Sequence, residues 1–265
     1  MNFLARWWLR RSANDDSVFV TDRSGVRSLH IGTDTIQSSM RLARPNDLEL
    51  AYTRSMMAFL LFNERPRRVL MVGLGGGSLA KFVYHRMPET VTEVVEINPQ
   101  VVAIARRLFA VPAADTRLIV RVCDGAEFVA GEGSGYGAIL VDGYAGDLQA
   151  EALSSREFYE NCRRRLDAGG VLVVNLWGSD RRFDHNLERI RAAFPAGALC
   201  LPAEKPGNIV VFAFRDRPQN PGWDELERRA VGLAASYGLE FMRFVRGLRQ
   251  MNRCDSERLY ASDEA

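Results

Sequence analysis

The chain has 265 residues, 47% apolar and 26% charged, which excludes a largely disordered protein and leaves room for one large domain plus an appendage. Its 35 basic and 33 acidic side chains leave a net charge of +2, too balanced for nucleic-acid binding across the whole surface, and no run nears the ~20 apolar residues needed to cross a membrane. Cys123, Cys162, Cys200 and Cys254 form no C-x-x-C pair and the three histidines lie far apart, so a reduced, cytoplasmic protein without a metal site is expected.

The opening segment Met1–Arg11, with Trp7 and Trp8 beside three arginines, is basic and amphipathic but lacks the features of a signal peptide. An arm packing on its own domain or on a partner subunit is preferred here over a membrane-surface helix, because its aromatics are adjacent rather than spread along one face. Residues 18–40 read as a small β unit: Val18–Thr21 and Val26–Ile31 flank the turn former Asp22-Arg23-Ser24-Gly25, and Thr35–Ser39 follows a second turn. An apolar helix is expected over Leu48–Phe62, with Asp47 as its N-cap.

From Arg68 onward strands and helices alternate, which predicts a mostly parallel sheet. The strands are placed at Val69–Gly73, Val91–Glu96, Leu118–Val122, Ala138–Asp142, Val171–Leu176, Ala198–Leu201 and Ile209–Phe214, with helices between the first five. The last two, joined by a short polar loop, form an antiparallel hairpin. Seven strands closed in this way describe an α/β fold, the class I methyltransferase-like variant of the Rossmann architecture. Trp223–Met251 has helical spacing broken at Gly238, and the polar, acidic Ser256–Ala265 reads as a frayed end. The expected division is an arm and β unit over 1–50, a nucleoside-binding domain over 51–215 and a helical extension over 216–265.

Gly73-Leu74-Gly75-Gly76-Gly77-Ser78 follows the first sheet strand and opens a helix, where glycines let a ligand approach the backbone and the helix offers unpaired N–H groups. It is neither a P-loop nor a good dinucleotide fingerprint, since Ser78 stands at the third glycine position. Glu96, 23 residues after Gly73, ends the second strand, where a carboxylate accepts hydrogen bonds from both hydroxyls of a ribose. Asp124-Gly125 after the third strand presents an acid to an adenine 6-amino group, or is a simple turn. Asp142-Gly143 ends the fourth. All four lie at the carboxyl edge of the sheet, where open α/β sheets bind ligands. The bland alternatives are a core tyrosine at Tyr52, a loop cap at Asp142, and packing at Trp177. Arg163-Arg164-Arg165 reads as a solvated helix face.

These residues resemble the polyamine aminopropyltransferases, the spermidine synthase family. The similarity runs from Val18 to Phe214, about three quarters of the chain. Its motifs are Gly25-Val26-Arg27-Ser28-Leu29, Gln37-Ser38, Leu50-Ala51-Tyr52, the glycine turn, Val95-Glu96-Ile97, Asp124-Gly125-Ala126-Glu127-Phe128, Val141-Asp142, Phe158-Tyr159-Glu160-Asn161-Cys162 and Leu166-Asp167-Ala168-Gly169-Gly170. The resemblance implies an aminopropyl transferase that takes decarboxylated S-adenosylmethionine and a small amine acceptor, without metal, as a homodimer. It implies that Gln37, Gly73, Gly75, Gly77, Glu96, Asp124 and Gly125 hold the methylthioadenosine part of the donor. Asp142 would accept the proton and Tyr52 would line the amine pocket.

The departures from the family pattern fall on the other half of the site. The family turn Gly-Gly-Gly-Asp-Gly has Gly76 at its acidic position. The family loop Asp-x-x-Asp-Pro reads Asp142-Gly143-Tyr144-Ala145-Gly146, with Asp147 close by. Thr53 follows the pocket tyrosine, and Glu204 stands where the late Tyr-Pro-x-Gly has its tyrosine. Tyr144, Asp147, Thr53 and Glu204 are therefore the candidates to contact the acceptor. A neutral turn would repel the carboxylate of intact S-adenosylmethionine less, so methyl transfer on the same fold is the alternative, followed by a catalytically inactive nucleoside-binding relative.

Overall fold

A computed structural model describes residues 17–145, 148–149, 151–203, 207–216 and 220–262; the basic arm over 1–11 lies outside them. In chain order the strands and helices begin with β1 Val18–Arg23, β2 Val26–Ile31 and β3 Ile36–Arg41, an antiparallel three-stranded sheet, and then α1 Ala51–Met56. There follow β4 Arg68–Val72, α2 Ser78–Arg86, β5 Val91–Glu96, α3 Pro99–Leu108, β6 Leu118–Val122, α4 Gly125–Ala130 and β7 Tyr136–Val141. The chain continues through the short pair β8 Tyr144–Ala145 and β9 Leu148–Gln149, then α5 Arg156–Arg165, β10 Leu166–Trp177, α6 Phe183–Ala193, β11 Ala198–Pro202, β12 Asn208–Phe214, α7 Trp223–Tyr237 and α8 Phe241–Met251. No helix among the described residues is long and apolar enough to cross a membrane.

The seven-stranded sheet has the order β11-β12-β10-β7-β4-β5-β6. The pairings from β10 to β6 are parallel, and β12 runs antiparallel to both β10 and β11. This is the expected class I methyltransferase-like arrangement, and all seven strands stand within a few residues of their sequence-based positions. Consecutive side chains alternate between faces. Val69, Met71, Ala138, Leu140, Val171 and Val173 join one buried cluster, with α2, α7 and α8. Leu70, Val72, Ile139, Val141, Leu172 and Val174 join the other, with α5 and α6. Both faces are therefore covered, as parallel sheets require. The register brings the carboxyl ends level, because Val72 pairs with both Val95 and Val141, and Glu96 pairs with Val122. The N-terminal sheet docks on α3 through Leu29, Met40, Val101 and Phe109.

Two sequence-based expectations about helices need correction, and the end read as frayed over Ser256–Ala265 is instead packed into the core through Leu259 and Ala261 as far as the described residues run. The helix expected over Leu48–Phe62 is α1 alone, followed by a 3-10 turn over Met57–Leu61, and Leu50 rather than Asp47 is its N-cap. Arg54 explains the late start: its guanidinium takes the carbonyls of Leu48 and Glu49 at 3.1 and 2.9 Å, while Asp47 pairs with Arg44. The second correction concerns Arg163-Arg164-Arg165. Arg163 and Arg164 are exposed, but Arg165 is buried and donates to the Glu132 carbonyl while covering the Phe128 ring.

Lys81 on α2 is 1% exposed, and its ammonium donates to the carbonyls of Pro45 and Phe109, both at 2.7 Å. It thereby joins the approach to α1 and the end of α3 to the helix that follows the glycine turn. Both acceptors are neutral, and burial brings the amine down from its ordinary 10.5 to about 8. Between these two values the unfolded chain binds the proton and the folded chain does not, so Lys81 adds stability as pH rises through that window. The melting temperature of the wild type is therefore expected to gain on that of Lys81→Met between about pH 8 and pH 10.5, read by scanning calorimetry.

Candidate active site

The site is built where β4 and β7 end. Gly73 has φ +98°, and a Cβ there would stand 2.4 Å from the Asp142 carbonyl oxygen, so this position admits only glycine. The two strand ends are held in place by Gly73 N–H donating to Val95 O and Asp142 N–H donating to Val72 O, each at 2.9 Å. The turn that follows crosses in front of β5. There the Glu96 carboxylate accepts the Leu74 N–H on one oxygen and the Asn98 N–H on the other, both at 2.9 Å. Each oxygen keeps a further lone pair, and Glu96 is buried in the wall of the cleft. Asn98 in turn caps α3, with Pro99 in its first turn, so the acid, the glycine turn and a helix start form one unit.

Asp124 serves as the N-cap of α4: its Oδ1 accepts from Ala126 N and Glu127 N at 2.6 and 3.2 Å. The turn reading and the site reading of this acid are thus compatible, because the cap uses one oxygen and the residue still lines the cleft. A Cβ at Gly125 would lie 2.5 Å from Val72 Cγ1, which makes this glycine a packing requirement beneath the cleft floor.

A cavity of about 170 Å³ runs along these strand ends, lined by Gln37, the glycine turn, Glu96, Ile97, Asp124 and Asp142. A second, of about 110 Å³, is lined by Thr35, Ile36, Gln37, Tyr52, Asp142, Asn175, Trp177 and Asn208. Gln37, Tyr52 and Asp142 belong to both. Asp142 therefore stands where the two spaces meet. Its Oδ2 accepts from the Tyr52 hydroxyl at 3.0 Å and its Oδ1 from Asn175 Nδ2 at 2.9 Å. Desolvation pushes the carboxyl up from the ordinary aspartate range, and the donors Asn175 and Tyr52 offset part of that rise.

The structure brings together the sequence-based candidates Gln37, Tyr52, Gly73, Gly75, Glu96, Asp124, Gly125 and Asp142 on one cleft. Gly77 sits just behind it as the left-handed N-cap of α2. Tyr52 is more than a core residue, since its hydroxyl meets Asp142. Thr53 reaches the wall with its hydroxyl already donating to Leu50 O at 2.7 Å. Asp147 and Glu204 lie outside the described residues; Tyr144 is described only in its backbone, as part of β8. Sequence reasoning missed Asn175, Asn208, Ile97 and Ser38. Asn175 carried a signal, as the one polar side chain among the buried residues Val171–Leu176.

Gly76 shows what became of the acidic turn position. A Cβ there would meet Ser38 Oγ at 2.7 Å and the Phe109 ring at 2.8 Å. The place of an acidic stem is filled from outside by a serine and a phenylalanine.

The chain matches the spermine/spermidine synthase domain over residues 49–193. A polyamine aminopropyltransferase of Chromobacterium violaceum is 42% identical over 236 residues, covering 89% of this chain and 90% of the relative. The chain belongs to the spermidine synthase family. Among solved structures, a probable spermidine synthase from Corynebacterium glutamicum superposes with a TM-score of 0.69 at 22% identity, covering 90% of this chain and 92% of the other. Human methyltransferase-like protein 13, in complex with SAH, gives 0.62 at 25% identity, covering 78% and 96%. Fold and family thus agree with the sequence-based expectation.

Gly76→Asp, which restores the family acid, is expected to cost about 1–3 kcal/mol of stability through overpacking, read as a lower urea midpoint. In a double-mutant cycle with Phe109→Leu, which makes room, the two losses are expected to be less than additive.

Proposed function

We propose that this protein transfers an aminopropyl group from decarboxylated S-adenosylmethionine to a small amine, releasing methylthioadenosine. The observation that carries the reading is the carboxylate of Asp142 at the junction of the cleft along the strand ends and a second cavity, with Tyr52 on one oxygen and Asn175 on the other. The family relatives support the same chemistry.

In this reading Glu96 takes the ribose hydroxyls, and Asp124, with Gly125 giving close approach, takes the adenine end. Gln37, Gly73, Gly75 and Gly77 shape the wall around the sulfonium. The acceptor enters by the second cavity, past Trp177, with Tyr52 and Thr53 on its wall and Tyr144, Asp147 and Glu204 as further contacts.

Attack requires a neutral amine. Its lone pair forms a bond to the methylene carbon beside sulfur, and the carbon–sulfur pair leaves with sulfur, which becomes a neutral thioether. The nitrogen becomes cationic as the sulfonium loses its charge. Asp142 favours that developing charge and accepts the proton, while the Tyr52 hydroxyl holds the carboxylate in line. Placing both reactants at one junction supplies much of the remaining acceleration. The setting is cytoplasmic, for which the four unpaired cysteines are the support, and the working form is a homodimer joined through the N-terminal β unit.

Incubation with decarboxylated S-adenosylmethionine and a diamine is expected to yield methylthioadenosine and an acceptor heavier by one aminopropyl group in the mass spectrum. An acceptor heavier by one methyl group with the intact donor would overturn the reading in favour of methyl transfer. Asp142→Asn is expected to lower kcat by about 10²–10⁴-fold, the usual range for loss of a positioned general base.

A further inference from the structure

Asn175 is 3% exposed and lies in β10 between apolar neighbours. A buried amide in a central strand is costly unless every polar atom is met. Here its Nδ2 donates to Asp142 Oδ1 at 2.9 Å, and its Oδ1 accepts from Asn208 Nδ2 at 3.0 Å. The pairing of β10 with β12 sets the second contact. Asn175 stands opposite Val210, so Asn208, two residues earlier on β12, is its diagonal neighbour on the same face.

We propose that Asn175 and Asn208 are positioning residues, a two-amide relay of fixed direction that aims the Asp142 carboxylate at the incoming amine. The proposal rests on the reading of Asp142 as the proton acceptor. Its direction follows from elementary chemistry. An ionised carboxylate only accepts hydrogen bonds, so Asn175 must turn its nitrogen toward Asp142 and its oxygen toward β12. Asn208 must then answer that oxygen with its nitrogen. With the Tyr52 hydroxyl on Oδ2 at 3.0 Å, each carboxylate oxygen is held by a neutral donor from a different element, α1 or β10.

Neutral donors matter here. Among the described residues, the titratable side chains lining the two cavities are Asp142, Tyr52 from α1, Glu96 at the end of β5 and Asp124 after β6. Among the described residues no lysine or arginine hydrogen-bonds Asp142. An arginine partner would fix the carboxylate equally well but would cancel the charge that the new ammonium needs. Two amides and a phenol hold it and leave that charge in place.

The test titrates the Asp142 carboxyl by carbon NMR, assigned by its loss in Asp142→Asn, alongside kcat and KM. Asn175→Leu is expected to raise that titration by about one unit, tenfold in proton affinity, as loss of a hydrogen bond to a charged group implies. Asn208→Ala is expected to shift it the same way by less, about threefold in proton affinity, because Asn175 loses what fixes its direction. In both variants kcat is expected to fall while affinity for methylthioadenosine is kept, since Glu96 and Asp124 are untouched.

An unmoved titration in Asn175→Leu overturns the proposal, and movement there with none in Asn208→Ala overturns the two-membered relay. Should Asn175→Leu fail to fold, Asn208→Ala, at the half-exposed start of β12, carries the test on the same two outcomes. The titration needs no turnover. A shifted carboxyl in a protein that transfers no aminopropyl group would therefore overturn the proposed reaction and support the relay.

Discussion

The site depends on one close approach. β4 and β7 run side by side to their ends, and beyond them the backbone of Gly73 passes so near the Asp142 carbonyl that a single methyl group has no room. That contact fixes the acid at the mouth of the central sheet and throws the glycine turn across β5, where the Glu96 carboxylate catches it through the Leu74 N–H. Glu96, the turn and Asp142 are thus parts of a single joint made of strand register, backbone hydrogen bonds and the Glu96 carboxylate. The Glu96 side chain is fixed in this joint because each of its carboxylate oxygens already accepts a backbone N–H.

The acidic position of the turn also reads differently in three dimensions. In the sequence, Gly76 is only a glycine at the acidic position of the family turn. In the fold, Ser38 from the N-terminal sheet and Phe109 from the end of α3 close over that glycine, and Lys81 holds the Phe109 carbonyl from below. A loss in one segment is thus matched by filling from two others. The compensation could not be seen along the chain, because residues 38, 76 and 109 meet only after the small sheet docks on α3.

Much of the rest was legible, for identifiable reasons. The apolar runs at Val69–Val72, Ala138–Val141 and Val171–Val174 are buried on both faces, and such continuous runs mark central parallel strands. Glu96, Asp124 and Asp142 were readable because Glu96 ends β5, Asp142 stands one residue past β7 and Asp124 two past β6, at the edge where this architecture binds its ligands. What failed was local competition. Asp47 has the character of a cap, yet Arg54 reaches back to take the carbonyls a longer helix would have used. Arg165 has two exposed arginines beside it, and burial of its guanidinium depends on loop carbonyls some 33 residues earlier in the chain. Asn175 was absorbed into a strand, because strand spacing says where a side chain points and not whom it meets.

The helix that carries Tyr52 is held from behind. Arg54, two residues on, pairs with Glu240 at the start of α8 at 2.7 Å, and Arg229 of α7 donates to the Leu61 carbonyl at 2.8 Å. Neither C-terminal helix falls within the stretch matched by the family domain, residues 49–193. The phenol that meets Asp142 thus takes its footing from helices that lie outside the cleft. A change at the Arg54–Glu240 contact would reach the cleft through α1 while every residue of the cleft stayed the same.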